Sequence, residues 1–221
     1  MEKRIISFLN KKLFLCPFCE ELILDESVLC APCRAQLLRE FDPHPQIQSM
    51  KDKFFIYPLF SWNAKSKIIL RELIYRLKGG ENQRLQAWLA QLFYIKYELY
   101  ISQRQKVFIP APAKQKNKKN QRDHASEWAF QLVKAKGEGV FYDPLQRQQE
   151  GQKSKTREER QKAKLSLGSS QIRGRSKLQK NLEMIFCDDV VTTGATAFAA
   201  YKALGQPRHF AVWCLAYREV R

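Results

Sequence analysis

From Met184 the chain reads Met-Ile-Phe-Cys-Asp-Asp-Val-Val-Thr-Thr-Gly-Ala-Thr: four apolar residues, two carboxylates, then a hydroxyl-rich turn with a helical stretch, Ala195 to Leu204, behind it. Few architectures accommodate that order. An apolar run of strand length calls for a buried strand, and a helix directly after its turn completes a strand–loop–helix unit. The segment therefore predicts an α/β protein with a parallel sheet. The loop also has a definite chemical capacity. N–H groups at a helix N-terminus favour an anion, Gly194 permits close backbone approach, and Thr192, Thr193 and Thr196 add hydroxyl donors. Asp188 and Asp189, just upstream, are acceptors for vicinal sugar hydroxyls. Together these residues predict a cradle for a ribose phosphate.

The rest of the chain fits the same architecture. Phe54 to Phe60 reads as a strand, at an edge because Pro58 has no N–H to give a ladder. Ile68, Ile69, Leu73, Ile74 and Leu77 recur at helical spacing up to Gly79-Gly80, and Leu85, Leu89, Leu92 and Phe93 mark a second helix. Lys106 to Ile109 is a short strand ending at Pro110-Ala111-Pro112-Ala113, Arg122 to Lys134 a helix, and Phe141-Tyr142 the close of another strand before a long polar segment. The final order is strand (183–189), helix (195–204), strand (208–216), which predicts a parallel sheet with helices on its faces. Cys187 and Cys214 lie within these strands and read as buried thiols.

The other four cysteines form a separate pattern. Cys16-Pro17-Phe18-Cys19 and Cys30-Ala31-Pro32-Cys33 are two CxxC knuckles with ten residues between them, a spacing that brings four thiolates to one tetrahedral ion. Disulfides are the rival reading. The only leader-like stretch, Met1 to Cys16, is interrupted by Lys11 and Lys12 and carries Leu15 where a small residue should precede a cleavage site. A reducing, cytoplasmic setting is therefore expected, and it favours structural Zn2+. Four thiolates leave no open coordination position for chemistry, and His44 reads as a solvated linker residue. The expected organisation is a zinc-binding module over 1–40, a linker over 41–53 and an α/β domain over 54–221. With no apolar run of spanning length, no membrane insertion is expected.

Charge adds a second theme. The formal net charge is +17, and 19 Lys/Arg face 7 Asp/Glu between Arg104 and Lys177, a surplus of 12. Lys114 to Arg122 and Lys153 to Lys164 hold much of it without an apolar period. Lys116, Lys118, Lys119, Lys155 and Arg157 are the candidate contacts to nucleic-acid phosphates, single-stranded DNA included. The competing reading of the same runs is a solvated face, or loops that close on a pyrophosphate. Trp62, Trp88, Trp128 and Trp213 offer ring faces to bases, but their apolar neighbours assign most of them to the core.

The stretch from Met184 to Thr196 resembles the 5-phosphoribosyl-1-pyrophosphate (PRPP) motif of the type I phosphoribosyltransferases. The order of four-cysteine module, Tyr75-Arg76-Leu77-Lys78-Gly79, Ile109-Pro110-Ala111-Pro112, Gln152 with Arg160, and Asp188-Asp189 with its Thr-Gly loop resembles the competence protein F (ComF) family over nearly the whole chain. That resemblance implies a zinc module followed by a type I phosphoribosyltransferase domain, and a part in DNA uptake alongside competence-machinery proteins. It implies that PRPP, carrying Mg2+, meets Asp188, Asp189 and the loop Thr192, Thr193, Gly194, Ala195 and Thr196. It further implies that Pro110 to Lys114, with Ala111 and Lys114, faces the pyrophosphate. The activity implied is transfer at C1 of PRPP to an acceptor the sequence does not name, with Asp188 and Asp189 as the catalytic pair. The alternative is a catalytically silent, zinc-stabilised nucleic-acid-binding protein. The chain departs from the family where Arg122-Asp123-His124-Ala125-Ser126 replaces an Arg-Gly-Phe-Asn-Gln-like segment and where Ala163 replaces an Asn. Thr192 stands where some purine phosphoribosyltransferases carry an acid, which disfavours purine salvage.

Overall fold

The structure, a computed structural model, describes residues 14–23, 27–63, 67–78, 83–112, 123–147, 165–167 and 182–218. A short antiparallel hairpin, β1 (Phe14–Leu15) and β2 (Leu22–Ile23), precedes helix α1 (Ala31–Arg39). β3 (Gln48–Met50) and β4 (Phe54–Ser61) follow, then helices α2 (Lys67–Lys78) and α3 (Gln83–Tyr97). A strand–helix–strand unit comes next: β5 (Lys106–Pro110), α4 (His124–Lys136) and β6 (Val140–Phe141). An antiparallel ribbon, β7 (Leu145–Arg147) and β8 (Leu165–Leu167), leads to a second unit, β9 (Glu183–Val191), α5 (Ala195–Ala203) and β10 (Phe210–Tyr217).

Six strands form one sheet in the order β3-β4-β10-β9-β5-β6, parallel throughout except for β3. The α/β class read from the sequence is therefore correct at the level of a mostly parallel sheet with helices on its faces. From β5 the chain moves outward to β6, whereas from β9 it moves the other way to β10. Right-handed crossovers in opposite directions put their helices on opposite faces, and the core divides accordingly. Ile185 and Cys187 pack with Trp128, Phe93 and Trp213 on the α3–α4 side, while Phe186, Val212 and Cys214 pack with Ala197, Ala200 and Tyr201 on the α5 side. Burial on both faces explains why β9 and β10 read as continuous apolar runs rather than alternating ones. Trp213 anchors the first side, its ring centroid 4.8 Å from Phe93 and 5.5 Å from Phe108, and Trp128 is fully buried beside it. Trp62 and Trp88 pack against the same cluster.

Two departures from the sequence reading have simple causes. Gln48-Ser49-Met50 falls in the expected linker but pairs with Ile56, Phe55 and Phe54 as an edge strand. It has one neighbour and little burial, so no apolar signal marks it. β3 begins opposite Ile56, which leaves Pro58, among the described residues, on the part of β4 that pairs with β10 alone, where its missing N–H costs no bond. The ribbon β7–β8 is the second departure. It lies within the polar segment, and its leucines, Leu145, Leu165 and Leu167, pack into the apolar cluster around α5.

The cysteine-bearing segment is not a separate globule. Cys16, Ile23, Leu29 and Leu37 are buried in the same apolar cluster as Leu70 and Leu73 of α2 and Leu85 and Leu89 of α3. Arg76 on α2 reinforces the join, bonding Glu72 at 2.7 Å and reaching across to Glu20 and the Phe18 carbonyl at 3.3 Å each. Among the described residues no helix is long and apolar enough to cross a membrane.

Candidate functional site

In an open parallel sheet, ligands bind beyond the carboxyl ends of the strands where the strand order reverses. Here that point lies between β5 and β9. The Ala111 N–H donates to the Cys187 carbonyl at 2.8 Å, so the end of β5 lies beside the acid pair in the C-terminal half of β9. The hydroxyl-rich turn then leads into α5. Gly194 is its N-cap, with φ 70° and no side chain to cap the helix, and the Phe198 N–H donates to its carbonyl at 2.8 Å. Among the described residues the Ala195 N–H meets the Thr193 hydroxyl, at 3.4 Å. First-turn N–H groups without helical partners are what a phosphate dianion engages. Glycine is required at 194 on two counts: the left-handed backbone, and a Cβ there would lie 2.5 Å from Met50 Cε.

The two acids are held by their own backbone. The Asp189 N–H donates to Asp188 Oδ1 at 2.9 Å, and the Val190 N–H donates to Asp189 Oδ1 at 2.8 Å. Asp188 is a half-buried residue at the sheet centre. Desolvation first, and the Asp189 carboxylate second, push its carboxyl well above the usual range, while the charge of Arg147 pulls the other way. Two adjacent carboxyls in such a setting do not both ionise readily.

Two residues that the sequence reading did not single out complete this cluster. His124 is the first residue of α4, and its Nε2 lies 3.1 Å from Asp189 Oδ2. Asp123 caps the same helix by accepting the Ser126 N–H at 2.8 Å, so Asp123 and His124, the residues at which the chain departs from the ComF-like pattern, start the helix and place the imidazole. Arg147, at the end of β7, donates from Nε to the Pro112 carbonyl at 2.9 Å, which ties the ribbon to the segment after β5. No local pattern announces either residue, because each acts on a partner brought near only by the sheet.

Of the residues predicted from sequence, the fold brings Ala111, Asp188, Asp189, Thr192, Thr193, Gly194, Ala195 and Thr196 to this one end of the sheet. Ala111 is buried and Thr193 is exposed. Lys114, Lys116, Lys118, Lys119, Lys155 and Arg157 lie outside the described residues, as do Gln152 and Arg160. The chain matches no protein-family model and no curated protein sequence. The reading of this site therefore rests on its own geometry and residue chemistry.

The cysteine cluster forms a second centre. β1 and β2 present Cys16 and Cys19 on their turn, with the Cys16 N–H donating to the Glu21 carbonyl at 2.8 Å and the Glu20 N–H to the Cys16 carbonyl at 2.9 Å. Cys30 precedes α1 and Cys33 lies in its first turn. The four Sγ atoms all lie within 4.8 Å of one another. All four cysteines are free, and the 3.4 Å between Cys19 Sγ and Cys30 Sγ is well beyond the ~2.05 Å of a disulfide. Burial would raise the Cys16 thiol, but N–H groups of Cys19, Cys30 and Phe18 directed at its sulfur outweigh that and bring it to about 6. Cys33 goes the other way, pushed up by burial and then by its three sulfur neighbours. Four sulfurs this close hold together as thiolates only around a cation, so the set fits a structural metal. His44 is exposed and stands apart from it, its N–H bonded to Asp42 Oδ1 at 2.9 Å.

Proposed function

We propose that the chain binds a ribose phosphate of the PRPP class at the carboxyl end of β9, as a type I phosphoribosyltransferase-like protein of the ComF kind. The observation that carries this reading is the placement of Asp188 and Asp189 at the strand-order reversal, one turn before the glycine-capped start of α5. A sugar whose 5-phosphate meets the α5 N-terminus would have its ring hydroxyls within range of the acid pair. If PRPP is turned over, an acceptor attacks C1 as pyrophosphate departs. The chain's task is then electrostatic: the acids hold the ribose as positive charge develops on it, and Lys114 with PRPP-borne Mg2+ offsets charge on the leaving group. The metal that best fits four thiolates within 4.8 Å of one another is Zn2+, in a structural role.

Calorimetry with PRPP and Mg2+ tests the pocket before any acceptor is known. Tight binding by the wild type and its loss in the Asp188→Asn, Asp189→Asn double variant support the reading; equal affinities of the two proteins would sink it. Release of pyrophosphate then separates an enzyme from a silent binder. The surplus of 12 positive charges between Arg104 and Lys177 favours a second activity, binding of DNA through its phosphates in DNA uptake. Log affinity should fall with log salt by about 0.7 per contact for single strands or about 0.9 for duplex. Replacing Lys116, Lys118, Lys119, Lys155 and Arg157 with Ala should flatten that plot.

A further inference from the structure

We infer that His124 is a positioning residue for the acid pair, its Nε2 holding Asp189 Oδ2 so that Asp189 is oriented as the acceptor for a ribose hydroxyl. This rests on the ribose-phosphate reading and assigns a specific task within it. Asp189 is fixed from two sides: Oδ1 takes the Val190 N–H at 2.8 Å, and Oδ2 faces the His124 Nε2 at 3.1 Å. The Asp189 side chain is 14 % exposed and that of His124 is 30 % exposed, so the contact is partly shielded from solvent. A polar contact in such a setting holds its geometry more firmly than a surface pair does.

The surrounding charges show why the imidazole matters. Asp123 caps its helix, Glu127 lies one turn further along, Asp143 is near enough to interact with Asp123, and Asp188 adjoins Asp189 on β9. Arg147 lends its charge to Asp188, while the imidazole is seated on Asp189 Oδ2. An N–H at Nε2 facing Oδ2, with the Val190 N–H on Oδ1, sets the plane of the carboxylate and so the direction in which Asp189 meets a ribose hydroxyl.

The test compares ribose 5-phosphate with 2-deoxyribose 5-phosphate by calorimetry on the full chain at one pH. Their shared phosphate cancels in the affinity ratio. Wild type should prefer the ribose form, His124→Ala should lower that preference about tenfold, and His124→Gln, which keeps an N–H donor, should restore most of it. A ratio unchanged in His124→Ala, or one that falls as far in His124→Gln as in His124→Ala, overturns the inference. Should the wild type bind neither sugar phosphate, the ribose-phosphate reading fails instead. The hold of His124 on Asp189 is then decided without ligand, by the Asp189 Cγ resonance. A shift in His124→Ala that His124→Gln reverses supports it, and a resonance unchanged in His124→Ala refutes it.

Discussion

The cysteine cluster and the acid pair both crowd like-charged groups into a small space, but they resolve the crowding in opposite ways. Around Cys16, Cys19, Cys30 and Cys33 the protein supplies N–H groups and apolar cover, and Arg76 of α2 is engaged by Glu72, Glu20 and the Phe18 carbonyl. The positive charge has to come from outside as a metal. At Asp188 and Asp189 the protein supplies its own basic side chains, His124 and Arg147, and leaves polar atoms at the strand-order reversal. The first arrangement fits a closed, permanent structural centre. The second fits exchange of a hydroxylated, anionic ligand, because no bound ion is needed to keep the site together.

Removing one sulfur should have the largest effect. Cys16 is fully buried in the cluster shared with α2 and α3, so Cys16→Ser should release the metal and destabilise the whole chain by about 3 kcal/mol or more, not just its N-terminal segment. Elemental analysis should find one zinc in the wild type and none in the variant, with a single unfolding transition at a lower denaturant midpoint. A tryptophan-reported transition unchanged from the wild type would mean that the cysteine segment is energetically separate after all, and the comparison would lose its first half.

The acid pair should show an intermediate effect of two signs. Because the folded protein holds Asp188 above its ordinary range, the folded chain binds more protons than the unfolded one from about pH 4 upward, and stability is lost as pH rises through that window. Asp188→Asn removes that cost and should raise stability by about 1 kcal/mol, roughly 2–4 °C in Tm for a chain of this size. The same variant should weaken ribose 5-phosphate binding by about 1–3 kcal/mol per lost bond. Scanning calorimetry and titration on one sample check both. A variant that is less stable and binds normally would make the pair a structural element like the cysteines.

The smallest effect concerns a single buried charge between the two regions. Lys96 Nζ donates to the Leu59 carbonyl at 2.9 Å and lies 5.6 Å from the ring centroids of Phe41 and Tyr97. Burial lowers it from 10.5 to about 8, against the pull of Asp42. Between those values the unfolded chain holds a proton that the folded chain has lost, so this lysine's contribution to stability increases as pH rises through the interval. Lys96→Met should fall within about 1 kcal/mol of wild type at neutral pH, losing one hydrogen bond and relieving one desolvated charge. Its distinguishing mark is a flatter stability curve above pH 8, measured by denaturation at fixed pH values. An unchanged curve would mean that this charge is solvated in the folded chain.

Legibility in the sequence followed the range of the interactions. β9, α5 and β10 were readable because burial on both faces writes a continuous apolar run into the chain, and the two CxxC pairs because four ligands to one ion must come at fixed spacing. Edge pairing leaves no such mark: Gln48-Ser49-Met50 looks like linker because an edge strand with one exposed face needs no apolar residues. Leu145 and Leu165 are too far apart along the chain, with too little alternation around them, to announce a ribbon. His124 was visible only as a departure from the ComF-like pattern, since nothing near it in sequence points to Asp189. The basic runs were legible as composition, and composition fixes charge without fixing position.

The place of β10 in the sheet has a consequence for the order of events during synthesis. It is the last strand of the sheet to leave the ribosome, yet it lies in the interior, hydrogen-bonded to β4 on one side and β9 on the other. Until it emerges, β3 and β4 have no parallel partner and the two halves of the sheet stay unjoined. Long-range pairing of this kind is slow and leaves apolar edges open to association. The cysteines, made first, therefore wait with their apolar cover incomplete while the remaining strands are translated. Early capture of a metal there would shield those thiols from oxidation during that interval.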